Sequence, residues 1–247
     1  MLPPVSRGGK NLKILMLKSR LPISNRLLAA VPRVEYQKMA DHLDPVTVSF
    51  GEVLYEPGEP IRHVYFPQNA LVALLTLVDS DSALAVSLVA REGMVGIASA
   101  LGLGTSPVRA VVQVTGTALR MTAAHFRATL KDNLPLQQEV HLYTHALMVQ
   151  IAQTAACNRF HLIEARLARW LLMTRDRVNA DHFYLTHEFL GDMLGVRRVG
   201  VTHAAMSLKQ QNLIDYSRGN IDLIDIAGLK AASCSCYPVW GGGNRVV

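Results

Sequence analysis

The sequence predicts an α+β protein in three parts: an N-terminal antiparallel β-roll, a long helix built for dimerisation, and a C-terminal winged helix-turn-helix. Three observations carry this expectation. Between Val46 and Met121, short apolar runs recur at strand length between turn signals. From Thr122 to Ala180 no Gly occurs and the only Pro is Pro135, which suits the first turn of a helix. Then LGDMLGVRRVGVTHA, residues 190–204, places Gly195 between two segments with helical apolar spacing, where a tight turn needs positive φ.

Taken in order, residues 1–23 mix Pro, Gly and Lys/Arg without sustained periodicity and read as a basic N-terminal arm. Ser24-Asn25 can cap a short helix RLLAAVP, and a second helix is expected from about Arg33 to His42, before Asp44-Pro45. The runs VTVSF, EVLYE, HVYFP, ALVALLTLV, ALAVSLV, AVVQVTG and TALRM follow, separated by Glu56-Pro57-Gly58-Glu59-Pro60, Gln68-Asn69 and Asp79-Ser80-Asp81. Strands of that number and length make a compact roll or sandwich, assigned to residues 24–131. The long helix is assigned to 132–158. One of its stripes, Val140, Tyr143, Leu147, Gln150 and Thr154, is expected to meet the same helix of a second subunit, while Leu142, Ala146, Val149 and Ala156 lie on another face. A helix apolar on two faces needs two surfaces to bury.

The third part, 159–237, holds an amphipathic helix from about His161 to Met173, the helix-turn-helix, and LIDYSRGNIDLID. That last stretch reads as two strands around Ser217-Arg218-Gly219-Asn220, whose Gly and Asn tolerate the positive φ of a hairpin turn. Residues 238–247 are left as a tail.

A chain of 247 residues has room for two cores, and its net charge of +6 is compatible with a polyanionic partner once the charge is located. The basic residues Arg159, Arg166, Arg169, Arg175, Arg177, Arg197, Arg198, Lys209 and Arg218 all fall in the third part. Arg197 and Arg198 open the second helix of the expected helix-turn-helix and Arg218 sits at the wing tip, the places such a unit presents to a DNA duplex. Thr186 can cap the first helix and leave its N–H groups near a phosphate. Gly191 permits close approach of the two helices, and Val201 supplies the apolar contact. Val199, Thr202 and His203 complete the exposed recognition surface.

These motifs resemble the Crp/Fnr family of bacterial transcription regulators. VSFGEVLYEPGEPIRHVYF is similar to the first strands of the family's cyclic-nucleotide-binding-type roll, and LTHEFLGDMLGVRRVGVTHAAMSLKQQNLIDYSRGNI to its helix-turn-helix and wing. The resemblance runs from about Asn25 to Cys236. It implies a sequence-specific regulator that binds double-stranded DNA as a homodimer and engages RNA polymerase. In the cyclic-AMP-binding branch an Arg-Glu pair and a later Arg face the bases; here those positions hold Arg198, Val199 and His203, so a different operator is expected. The nucleotide signature, a Gly-Glu pair followed by Arg-Ser or Arg-Thr, is also altered. Ile97 follows Gly96, and Pro107-Val108-Arg109-Ala110 replaces the second step. Arg109 is the candidate ligand residue, displaced by one place, and a one-residue slip on a strand turns a side chain to the opposite face. The pocket is therefore read as degenerate and cyclic AMP is not expected to bind.

The three cysteines, Cys157, Cys234 and Cys236, form no disulfide framework, which suits a reducing cytoplasm. Cys157 and His161 have the i, i+4 spacing of metal ligands and Cys234-Ser-Cys236 offers two thiolates, but nothing in the sequence brings the two sets together. The favoured reading is buried small residues, with neither metal nor other cofactor. No histidine arrangement supports hydrolysis, so no catalytic residue is assigned. The longest apolar run, Ala70 to Val78, is too short for a membrane span, and no secretory signal is visible. The alternative from another class is a small-molecule receptor or adaptor whose winged helix serves protein contacts.

Overall fold

The computed structural model describes residues 23–79 and 82–237; the expected basic arm, apart from Ile23, and the tail lie outside them. Two short helices open the chain, α1 (Arg26–Ala30) and α2 (Arg33–Ala40). Asn25 is wholly buried at the start of α1. Its Oδ1 accepts from Leu28 N while its amide donates to Pro67 O and Gly93 O, which ties the helix to the roll.

Seven strands follow, β1 (Asp44–Val48), β2 (Val53–Tyr55), β3 (His63–Pro67), β4 (Leu71–Asp79), β5 (Ser82–Val89), β6 (Arg109–Val114) and β7 (Gly116–Thr122). They form two antiparallel sheets in the orders β1-β7-β3 and β2-β6-β4-β5. The uninterrupted apolar character of β4 has a physical cause. Val72 and Leu74 join the core of the roll, whereas Leu71, Ala73 and Leu75 join a second core shared with the C-terminal helices. Successive side chains point to opposite faces, and here both faces are covered. In the same way Ala110 and Val112 of β6 face the roll while Val111 faces the other core.

A four-residue helix, α3 (Ile97–Ala100), precedes β6, and α4 (Ala123–Asp132) follows β7. Where the sequence suggests one long helix from residue 132, the structure has a break at Asn133. Thr122 caps α4 by accepting from His125 N, and Asn133 caps α5 (Leu134–Phe160) by accepting from Leu136 N, with Pro135 in the first turn. The C-terminal part contains α6 (Ile163–Val178), β8 (His182–Tyr184), α7 (His187–Leu194), α8 (Arg198–Gln210), β9 (Ile214–Ser217), β10 (Asn220–Leu223) and α9 (Ile226–Ala232). Thus α6 runs five residues beyond the expected end at Met173 and stops at Asn179, whose φ of 55° turns the chain. Strands β8, β10 and β9 pair in that order as the wing sheet.

The long helix corrects one expectation. Val140, Tyr143, Leu147, Gln150 and Thr154, read as a seam between subunits, are all buried within the chain itself. Tyr143 donates from its hydroxyl to Met94 O at 3.0 Å, and Gln150 donates to Ser87 Oγ at 2.6 Å and Leu88 O at 3.2 Å. The face left open carries Leu142, Met148, Val149 and Ile151, with Ala152, Ala155 and Ala156 exposed beside them.

The roll and the C-terminal part are joined by polar as well as apolar contacts. Gln113 Nε2 donates to Thr174 Oγ1 at 2.7 Å, and Arg177 pairs with Glu92 at 3.0 Å while also donating to Gln150 Oε1 at 3.1 Å. Arg177 is only 6% exposed, so removing either partner of this pair would cost about 3–5 kcal/mol.

Candidate nucleic-acid interface

Helices α7 and α8 are positioned by the residues singled out in the sequence. Thr186 accepts from Phe189 N at 3.1 Å, an N-cap worth about 1 kcal/mol. Gly195 ends α7 with φ of 61°. A Cβ on Gly191 would lie 2.9 Å from Val196 O, so only glycine lets the turn fold back this closely. Val201, Ala204, Ala205 and Leu208 face the core, while Arg198, Val199, His203 and Met206 form the open face of α8. Val199 is 59% exposed and Met206 53%, so the open face offers apolar as well as basic contacts. Met206 was missed in the sequence, although it lies three and seven residues beyond His203 and Val199 on the same face.

Arg197 is the N-cap residue of α8 and Arg198 its first helical residue; both are exposed. Thr202 is placed differently from the rest. Its hydroxyl donates to Arg198 O at 3.1 Å and accepts from His187 Nδ1 at 3.0 Å, so it braces the two helices. His187 also stacks on Tyr216 at 4.1 Å, and burial, then the Arg198 charge, lowers its pKa. Lys209 is exposed but pairs with Asp215 at 2.5 Å, which anchors the base of the wing to α8.

The wing tip departs from expectation in one detail. The positive φ values belong to Arg218 (50°) and Gly219 (89°), not to Asn220. Two consecutive residues of this kind between paired strands make the hairpin turn that matches strand twist. Arg218 therefore holds a backbone conformation costing about 1 kcal/mol or more, and its exposed side chain sits beyond the sheet.

Two family models match the chain, a cyclic nucleotide-binding domain over residues 45–133 and a Crp-like helix-turn-helix domain over residues 165–232, together more than half of its length. The chain belongs to the Crp/Fnr family of transcription regulators. Members of this family bind DNA and act as dimers; it is a family of regulators rather than enzymes. Solved structures agree at the level of the fold. A CRP-family transcriptional regulator from Thermus thermophilus superposes with TM-score 0.65 at 19% identity, covering 76% of this chain and 96% of its own. FixK2 from Bradyrhizobium japonicum gives 0.65 at 15%, covering 78% and 98%. The c-di-GMP-responsive global regulator CLP of Xanthomonas campestris gives 0.64 at 14%, covering 78% and 100%. No curated protein sequence matches the chain significantly.

In this Crp/Fnr regulator Arg109, the candidate ligand residue of the sequence, faces a carboxylate of the roll. Arg109 opens β6 and donates from Nε to Glu56 Oε2 at 2.8 Å; both side chains are partly exposed. Its charge also reaches Asp192 of α7, whose pKa is raised by burial and Glu188 and held back by Arg109. Gly96, with φ of 98°, precedes α3, where Ile97 is half-buried, Ala98 and Ser99 are buried, and no carboxylate is present.

The β4–β5 hairpin meets the reading head. A cleft of about 510 Å³ is lined by Ser82, Leu84, Asp192, Gly195, Arg197 and Arg198 among others, and a Cβ on Gly195 would lie 2.8 Å from Leu84 Cδ1. No helix among the described residues is long and apolar enough to cross a membrane. The structure also brings together what the sequence kept apart: Cys157, His161, Cys234 and Cys236 converge at one point.

Proposed function

We propose that this regulator acts in the cytoplasm as a homodimer whose two recognition helices read the halves of a two-fold symmetric operator in adjacent major grooves. The observation that carries this is the open face of α8, where two arginines at the helix start stand beside exposed Val199, His203 and Met206. Arg198 is placed for a forked contact to a guanine, and Val199 for the methyl group of a thymine. Arg197, at the N-cap just outside the helix, and Arg218 at the wing meet phosphates. Lys209 and Thr202 support the same surface, and Thr186 directs the α7 N-terminus toward the backbone. RNA polymerase is the expected further partner.

The subunits meet through the open stripe of α5, centred on Leu142 and Val149, rather than through its buried stripe. The signal is not cyclic AMP. No carboxylate follows Gly96 to take the ribose hydroxyl, and Arg109, displaced by one place along its strand, faces Glu56. Site selection from random DNA by the purified protein tests the reading. A two-fold symmetric consensus with half-site centres roughly 10 base pairs apart is expected. Recovery of unselected sequence would defeat it, and micromolar cyclic AMP binding by calorimetry would defeat the account of the pocket.

A further inference from the structure

A compact cluster at the joint between the long helix and the DNA-binding part takes no share in reading DNA. Cys157 lies in the last turn of α5 and His161 is that helix's C-cap, while Cys234 and Cys236 follow α9. The three sulfurs and one imidazole nitrogen all lie within 4.8 Å of one another. Cys157 Sγ is 3.5 Å from Cys234 Sγ, and Cys236 Sγ is 3.5 Å from His161 Nδ1. A tetrahedral zinc ion with Zn–S about 2.3 Å and Zn–N about 2.0–2.1 Å has S–S edges of about 3.8 Å and S–N edges of about 3.6 Å. Donors this close enclose a single ion, and the widest separation needs to close by only about 1 Å to fit it.

The surroundings have the character such a site requires. All three cysteines are buried and form their own small cluster apart from the two large cores. Gln153 Nε2 donates to Cys236 Sγ at 2.9 Å, and Arg169 Nε donates to Cys236 O at 3.3 Å, outer contacts of the kind that orient metal ligands. Arg166 and Arg169 are 8% and 4% exposed, and neither has a carboxylate in ion-pair contact among the described residues. Buried guanidinium groups need compensating negative charge. A divalent ion held by three thiolates and a neutral imidazole carries one net negative charge and supplies it.

We propose that Cys157, His161, Cys234 and Cys236 form a structural site for a single divalent ion of borderline softness, zinc in the first place. Only His161 and Leu162 separate α5 from α6, so the two helices join at a hinge. The ion ties the end of the long helix to the end of the DNA-binding part across that hinge and fixes the angle at which the reading head is carried. On binding, the thiol protons leave to solvent and no oxidation occurs.

The full chain, purified under reducing conditions from zinc-supplemented medium, should retain one zinc per chain by elemental analysis. Cys234→Ser and Cys236→Ser should each retain less than about a tenth of that, and His161→Gln, which removes a direct ligand, should bind zinc more weakly by at least the roughly 10–100-fold that loss of an outer partner costs. Wild-type protein stripped by a chelator should lose thermal stability and recover it with zinc. Reloaded with cobalt, it should show the strong visible absorption and sulfur charge-transfer bands of a tetrahedral thiolate site. These last two readouts need no variant and survive any folding defect of the serine forms. The proposal is overturned if the stripped wild type takes up cobalt without those bands, if Cys234→Ser keeps full zinc, or if the purified chain holds a Cys157–Cys234 disulfide in place of metal.

Discussion

The long helix α5 and the recognition helix α8 each have one covered face and one open face, and what lies open differs in kind. On α8 the open face is basic at its start with two isolated apolar side chains, while on α5 it is apolar along several turns. The first suits a polyanion with methyl groups in its groove, the second another apolar helix. The covered faces teach more. On α5 the covered stripe contains Tyr143, Gln150 and Thr154, and Tyr143 and Gln150 each reach a built partner in the roll. A polar group in an apolar stripe must find a hydrogen bond when buried, so these residues mark the face that meets its own chain.

The largest effect should come from attacking the covered face of α5. Leu147→Glu places a charge where the side chain is 6% exposed, and a loss of at least about 3 kcal/mol is expected, seen as aggregation or a collapsed melting temperature rather than as a folded monomer. A folded, monomeric Leu147→Glu protein would return the seam to the buried stripe. Next comes the open face. Leu142→Glu combined with Val149→Glu should leave thermal stability close to wild type by calorimetry but yield monomers in sedimentation, with operator binding lost because one half-site holds too few contacts. A dimer that persists would place the interface elsewhere.

On α8 the expected effects are smaller. Arg198→Ala should cost about 1–3 kcal/mol at the preferred operator and relax selection at one base pair per half-site, whereas Arg197→Ala should weaken specific and random DNA alike. Identical base preferences for wild type and both variants would remove α8 from sequence reading. The smallest change is expected at the wing. Arg218→Asn removes the charge while suiting the positive φ, so the dependence of affinity on salt should fall by about one unit of slope and the fold should be no less stable. A change in base preference there would show that the wing touches bases.

Much of the fold was legible in short-range chemistry. Asn25, Thr186 and Gly195 act as caps or turns through their own side chain or lack of one, so their role travels with the residue. The same holds for the apolar runs that became β1 to β7. The wing tip was legible only in part, because a hairpin register decides which of Arg218, Gly219 and Asn220 takes positive φ. Thr202 looked available for DNA, yet its hydroxyl is taken by His187, a residue fifteen positions away. Arg109 opens β6 one residue before the apolar run that marks the strand, and its partner Glu56 lies on the turn after β2.

The sequence by itself determined the succession of roll, long helix and winged helix-turn-helix, the arginines at the recognition helix, and the fact that α5 has two apolar faces, because these depend on periodicity and on the backbone preferences of single residues. Only the tertiary structure decided which face of α5 the roll would cover, that β4 serves two cores at once, and that Cys157 and His161 meet Cys234 and Cys236. Each of those outcomes rests on contacts between segments far apart in the chain. Two stripes of equal apolarity look alike in sequence, and a metal-ligand spacing is silent about its missing half until the last turn of the fold brings it into place.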